Sequence, residues 1–507
     1  MAEAKCEKAT SSGTTPDIGD MVEVKGNDAL RLAEMGYSQE MKRQFSRISL
    51  LGVCFSIANS WFGISASMIT GISSGGTALS IYGIPLIALV STCVGITLSE
   101  LASAMPNSGG QYFWAHQLAP RKYARVASFA TGYLSWAGSI FTSASIALSL
   151  ATIILGMWQM GHPSFVIKSW HTVIAYDLVN LLAYIFNTYE RILPGMAKVS
   201  LYTSLISFLI IIITVPATSH NFSTARAVFA HFANSTGWSS DAIAFFVGLI
   251  NPNWTFACLD SATHLAEEIP HPETNIPFAI LGTVVLGFVT SWPYVIAIFF
   301  SVTDLEAIIN TATGSPTLEL YYQALGNKAG AIVLEALVLA TGLGCLIASH
   351  TWQSRLCWSF ARDKGIMFHQ WLSTIPQQNQ VPMNAHTLSC GIVAVVGLLY
   401  LGSATAFNSM VSACIVLLYG SYAIPVSSML YKGRRNIEHG PFWLGWFGLV
   451  CNVVVLLWTA FTLVIYAFPA SYPVTSSSFN YVIVVYVVVA VIAISDWFAR
   501  GRKEYRA

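Results

Sequence analysis

Trp61, Phe62, Trp254 and Phe256 are the residues of this chain best suited to binding chemistry, with the amides and hydroxyl of Asn59, Ser60 and Asn251 beside them. The face of an aromatic ring attracts a cation, by roughly 0.5–2 kcal/mol per ring when water is excluded. Amides and hydroxyls at the same place would read a polar group. Asp260 lies four residues past Phe256, one helical turn along on a similar face. It could balance a cation, carry a proton with His264 or Glu268, or simply brace its helix. Packing competes with binding for each aromatic residue, because Trp and Phe in membrane segments are mostly packing or interface groups.

These groups must be positioned by two interrupted membrane helices. Asn59-Ser60-Trp61-Phe62-Gly63 and Asn251-Pro252-Asn253-Trp254-Thr255-Phe256 each interrupt an apolar run. Unwound backbone at mid-bilayer is tolerated only where protein or a polar cavity surrounds it. Paired broken helices in corresponding halves of a chain point to a transport site. The 507 residues are 54% hydrophobic and 10% charged, with a mean hydropathy of +0.60. Soluble domains carry about 25% charged residues, so the chain reads as an all-α polytopic membrane protein in contact with lipid. The net charge of +1 argues against nucleic acid.

Segments of about 20 apolar residues are predicted at 47–73, 79–104, 125–158, 170–188, 193–218, 242–265, 276–302, 329–356, 386–402, 405–431, 442–468 and 479–499, twelve spans in all. With the N-terminus inside, all of the 25 basic residues except Lys168, Arg226 and Lys328 fall on the inner side, which sets the orientation with both termini cytosolic. Residues 1–46 form an N-terminal tail, expected to be disordered over its first thirty residues, and 500–507 a C-terminal tail. The nine cysteines form no Cys-x-x-Cys pair and read as small buried hydrophobes. No His-rich metal cluster, cofactor motif or nucleotide-binding loop is visible. An ion gradient or the cargo's own gradient is left to drive transport.

Intramembrane acids default to functional candidates. Asp260 leads them. Asp177 is expected to be structural, and Glu335 to meet water near the outer end of the eighth span. Glu267, Glu268, Arg355, Arg362 and Asp363 are expected to pair at the inner face as a gate.

Three local patterns resemble the amino acid–polyamine–organocation transporter superfamily: Glu100 to Trp114 with Pro106, Gly109 and Gly110; Asp260 to Pro270 with His264, Glu267 and Glu268; and Arg355 to Asp363. Asn59 to Ser65, Gly71 to Gly76, His350 to Gln353 and Gly440 to Gly445 look like the fungal choline permease subfamily. The resemblance implies ten core helices in two inverted five-helix repeats, 47–218 and 242–431, with spans 1 and 6 broken and spans 11 and 12 (442–499) peripheral. It implies import across a fungal plasma membrane by alternating access, with H+ as the coupling ion. Amino-acid carriers of the superfamily often have a Gly-rich break in the first helix that holds a carboxylate; here Gly63 is the only glycine of that break.

Choline carries a fixed positive charge with no N–H to donate, so aromatic faces and half-helix carbonyls suit it. The expected cage is Trp61, Phe62, Trp254 and Phe256, with Asn59, Ser60 or Asn251 reading the hydroxyl. Ethanolamine is a second candidate cargo. A 4-aminobutyrate or amino-acid permease is the alternative within the class, a non-transporting nutrient sensor an alternative outside it, and an enzyme the weakest, for want of a base near any nucleophile.

Overall fold

The computed structural model describes residues 28–376, 380–403, 406–475 and 479–506; the expectation of a disordered N-terminal tail falls, over 1–27, outside them. Residues up to Glu40 and those from Met41 onward form two compact units. The first carries a short helix over 28–34. The second holds the membrane helices. Among the described residues no strand occurs, and eleven helical stretches are long and apolar enough to cross a membrane. The remaining expected span, the fourth, is present as an 18-residue helix, Ser169–Phe186, whose apolar character His171, Asp177 and Asn180 dilute.

The first broken element is α1 (Arg47–Ile57) followed by α2 (Ser60–Ala66). The chain leaves helical geometry only at Ala58 and Asn59, and the Asn59 side chain accepts from the Phe62 N–H to restart the helix. α3 (Met68–Ala104) turns sharply at Gly76, where φ is 62° and ψ −150°. Only glycine adopts that region without strain. A Cβ there would also stand 2.9 Å from the His231 carbonyl oxygen. Gly76 thus divides the run into the two spans predicted on either side of 73–79.

α4 (Gln111–Leu118), α5 (Ala124–Gly161) and α6 (Ser169–Phe186) lead to α7 (Leu193–Thr218). The second broken element is α8 (Asp241–Gly248), α9 (Ile250–Thr255) and a 3₁₀ stretch, Leu259–Glu268. α10 (Pro272–Phe300), α11 (Pro316–Leu325), α12 (Lys328–Arg362), α13 (Met383–Gly397), α14 (Ala406–Lys432), α15 (Trp446–Ile465) and α16 (Val482–Asp496) follow.

α5 packs along both α12 and α14, and α10 along α3. The buried face of α5 is a run of small residues, among them Ser135, Gly138, Ser139, Thr142, Ser143 and Ala144. Small residues let helix backbones approach in a bilayer, where lipid tails remove the hydrophobic drive for association. Gly132 and Gly138 admit Phe360 of α12 and Leu418 of α14 at distances no side chain would allow.

Burial grades outward. The best window of Arg47–Ala66 is 94% buried, against 33% for Trp446–Ile465 and 17% for Val482–Glu504, so the last two helices present apolar side chains to lipid. The 500–506 segment does not trail away from the bundle. Tyr505 is fully buried, its hydroxyl 2.5 Å from Ser128 Oγ, and Arg125 donates to its carbonyl at 2.8 Å.

Gly76→Ala is expected to destabilise the protein by about 1–3 kcal/mol through backbone strain, measured as a lower thermal-unfolding midpoint of detergent-solubilised protein by tryptophan fluorescence. Gly161→Ala, where an added Cβ meets open space, is the control that leaves the midpoint unchanged.

Candidate functional site

The two breaks face each other. Ser60 Oγ donates to the Thr255 carbonyl at 2.9 Å, and Gly63 lies so close that a Cβ on it would be 2.8 Å from Thr255 Cγ2. Asn251 Nδ2 donates to Ser67 Oγ at 2.6 Å. Cys345 of α12 covers the end of α1, its thiol 3.3 Å from the Ile57 carbonyl oxygen. These bonds supply what water supplies elsewhere to an opened helix end.

The breaks are shorter than the sequence pattern predicts, and the second is displaced. Ser60, Trp61, Phe62 and Gly63 lie within α2, and Asn251 to Thr255 within α9. The unwound stretches are Ala58–Asn59 and Phe256–Cys258, with Cys258 left-handed at φ 64°. Asn59 and Ser60 restart the first helix quickly by capping, and Pro252 falls early enough in α9 to be accommodated there.

Between the breaks is a cavity of about 10 Å³, lined by Asn59, Phe62, Thr142, Trp254, Cys258 and Cys345 among others. That volume is about what one water occupies, so this conformation is closed around the site. No charged side chain lines it. A second small cavity, between Phe256, Tyr419 and Tyr422, sits on the other side of Cys258.

The four aromatic residues therefore do not converge on one space. Phe62 and Trp254 share the central cavity, and Phe256 lines its neighbour. Trp61 is turned away: its indole N–H donates to Ser204 Oγ of α7 at 2.9 Å and its ring lies 5.5 Å from that of Tyr294. Ser204 also accepts from Asn59 Nδ2 at 2.7 Å. Of the three expected hydroxyl readers only Asn59 lines the cavity, with its amide engaged by Ser204 and the Phe62 N–H; Ser60 and Asn251 lie off the lining, and Asn251 Oδ1 is buried without a hydrogen-bond partner. Nothing local in the sequence points to Ser204, Thr142 or Cys345, whose roles come from helices distant in the chain.

Asp260 is fully buried outside the cavity lining. Tyr422 donates to its Oδ1 at 2.5 Å, and His264 Nε2 is 3.3 Å from its Oδ2. His264 Nδ1 meets the Ser108 carbonyl oxygen at 2.8 Å. Gly110, at φ +51°, lies against Thr263 and His264. The Pro106–Gly110 turn and the Asp260–Glu268 stretch, separate patterns in the sequence, dock on each other.

Beyond them is a latch. Arg355 pairs with both carboxylate oxygens of Glu268, at 2.9 and 3.2 Å, and Arg362 with Glu267 at 2.9 Å. The backbone N–H groups of Gln44 and Phe45 donate to the Glu268 carbonyl. Glu100 of the first motif pairs with Arg434 at 2.8 Å. The end of the bundle holding these pairs, the near face, is closed. Toward the opposite, far face lies a cavity of about 260 Å³ lined by hydroxyl side chains, among them Ser65, Thr70, Ser149 and Ser315, together with apolar ones such as Leu148 and Ile153.

The sequence suggests no metal ligands, yet His350 of α12 and His386 and Cys390 of α13 bring ligand atoms within 4.8 Å of one another. Two helices supply them, so no sequence spacing announces them. His350 Nδ1 contacts Cys390 Sγ at 3.3 Å, and His386 stacks on Tyr184, contacts that also account for the group as packing.

A polytopic bundle with two facing helix breaks, a closed cavity between them and a latch at one end is the architecture of a membrane permease. The chain belongs to the amino acid permease family, whose profile matches residues 48–489. It is 52% identical to a protein of Saccharomyces cerevisiae named choline transporter, over 92% of this chain and 83% of that one. It is 35% identical to the 7-keto 8-aminopelargonic acid transporter of the same organism, over 88% and 90%. It is 36% identical to the swainsonine transporter of Arthroderma benhamiae, over 92% of each. The family and these relatives are transporters rather than enzymes.

Arg355→Ala leaves Glu268 buried without its partner and is expected to cost about 3–5 kcal/mol, seen as a large fall in the thermal-unfolding midpoint. The paired change Glu268→Leu with Arg355→Met is expected to recover most of that loss, since no orphan charge remains.

Proposed function

We propose that the protein is a secondary active transporter that imports choline, with ethanolamine as a second cargo, across the plasma membrane by alternating access. The observation that carries this reading is the central cavity: aromatic walls from Phe62 and Trp254, a helix break on each side, and no charged group in the lining. A quaternary ammonium needs no hydrogen-bond acceptor at its head and is held by ring faces. The relative named choline transporter, at 52% identity, supports the same cargo. A 4-aminobutyrate carrier would need donors for a carboxylate, and Asn59 is the only amide of the two breaks on the lining.

In this reading Phe62 and Trp254 contact the cation, Phe256 extends the wall as the site opens, and Asn59 reads the hydroxyl by exchanging its bond to Ser204 for one to the cargo. Trp61, Ser60 and Asn251 hold the breaks in shape, and Asp260 with His264 stiffens the lower half of the sixth span. The near face is cytosolic, in keeping with the distribution of basic residues, and both termini lie there. Ser169–Phe186 counts as the fourth of twelve spans, the core is a 5+5 inverted repeat, and α15 and α16 are peripheral. The Glu268–Arg355 and Glu267–Arg362 pairs are the inner gate, broken when the site opens to the cytosol. The coupling ion is H+.

Purified protein is expected to bind radiolabelled choline and release it to unlabelled choline or ethanolamine, with no displacement by 4-aminobutyrate. Saturable 4-aminobutyrate binding without choline binding would sink the reading. Phe62→Ala and Trp254→Ala are each expected to weaken choline binding by about 2- to 30-fold, the loss of one ring face. Trp61→Phe, which keeps the ring packing but not the bond to Ser204, is expected to weaken binding less than Trp254→Ala.

A further inference from the structure

Glu335 does not meet water, as its place near the end of α12 suggests, but is fully buried. Ser315 Oγ donates to its Oε1 at 2.7 Å and Thr317 Oγ1 to the same oxygen at 3.0 Å. Its Oε2 is buried with no hydrogen-bond partner, and no cation pairs with it among the described residues. Ser315 and Thr317 also line the 260 Å³ far-face cavity, so one layer of side chains separates this carboxyl from the space through which water and cargo would come.

We propose that Glu335 binds the coupling proton, loading it from the far-face cavity as the 313–317 segment lifts and seats again. This rests on the transport reading for its uptake arm only. The two hydroxyls satisfy Oε1 in either protonation state. Oε2 decides the matter. As an oxygen anion it is an uncompensated buried charge; as an O–H it is one unmet donor, much the smaller cost. The carboxyl therefore holds a proton while the segment is closed and gives it up where water or another acceptor reaches it. A conformational change and a protonation that each alter the other in this way are coupled.

The segment turns on a glycine and seats against a glycine. Gly314 sits at φ +68°, and Gly156 of α5 leaves room for the Thr313 carbonyl, which would lie 2.9 Å from a Cβ there. A separate chain of buried hydroxyls leads toward the first break. Tyr321 of α11, which packs on α12, and Tyr294 of α10 are buried titratable groups. Their hydroxyls are 2.9 Å apart, and Tyr294 is 2.7 Å from Ser65 Oγ. Ser65 in turn bonds to the Trp61 carbonyl at 2.8 Å. A proton from water forms the O–H bond at Oε2. On release that bond breaks and the proton passes to water that reaches Oε2 in another conformation, leaving the carboxylate hydrated.

The test uses full-length protein in liposomes. Wild type is expected to concentrate radiolabelled choline when the outside is acidic relative to the lumen, and to lose that accumulation when the gradient is collapsed. Glu335→Gln keeps the acceptor for Ser315 and Thr317 but binds no proton. It is expected to lose gradient-driven accumulation and the fall in rate at alkaline pH while keeping choline counterflow. Glu335→Asp is expected to restore a pH dependence. Accumulation by Glu335→Gln equal to wild type overturns the proposal, and so does loss of counterflow along with accumulation, which would make the residue structural. A second arm needs no cargo. The infrared difference between acidic and alkaline buffer is expected to show a protonated carboxyl band in wild type that is absent in Glu335→Gln. A wild-type spectrum without that band overturns the proposal whatever the cargo. A band with no choline counterflow in wild type supports proton binding and overturns the choline reading instead.

Discussion

Opened backbone in a bilayer has to find its hydrogen-bond partners within the protein, and the arrangement of this bundle follows from that requirement. Each break is answered by the other or by a neighbouring helix: Thr255 by Ser60, Ile57 by Cys345, and the helix start at Phe62 by Asn59. Asn253, in the turn before the second break, is held from two sides by Tyr466 and Tyr419. Removing the neighbours would leave carbonyls bare in hydrocarbon. The close approach of α5, α12 and α14 therefore does more than fill space. It makes the interrupted helices affordable.

The two ends of the bundle are stabilised by different chemistry. At the near face, full charges are buried in pairs, which cost desolvation on forming and leave strong attraction once formed. Such contacts favour two discrete states, made or broken. At the far face, hydroxyl and apolar side chains share the lining of the large cavity, and the hydroxyls exchange partners with water at little net free energy. The two ends thus differ in what water must displace to enter them: buried ion pairs at one, hydroxyl and apolar side chains at the other.

Much of this was legible in the chain because hydropathy, glycine and charge act locally. Gly76 marks a turn that only glycine makes easily, and Arg355 with Glu268 falls at matching helix ends. Three features were not legible, for a shared reason. The direction of Trp61 is decided by Ser204 and Tyr294, far along the chain. The exact site of unwinding is set by which carbonyls find partners, so Asn251 to Thr255 stays helical despite Pro252. The burial of Glu335 depends on Ser315 and Thr317 folding over it. In each case tertiary contacts choose among options that local sequence leaves open.

The contact between Gly63 and Thr255 also limits how this scaffold can diversify. With no room for even a methyl group there, the wall formed by the two breaks is fixed in outline for any cargo. Changes of preference then come from side chains that line the cavity without touching that contact: Phe62 and Trp254 on this wall, and Thr142 and Ile146 of α5 and Cys345 of α12 opposite. Substitutions there would leave the packing of the two breaks on each other intact.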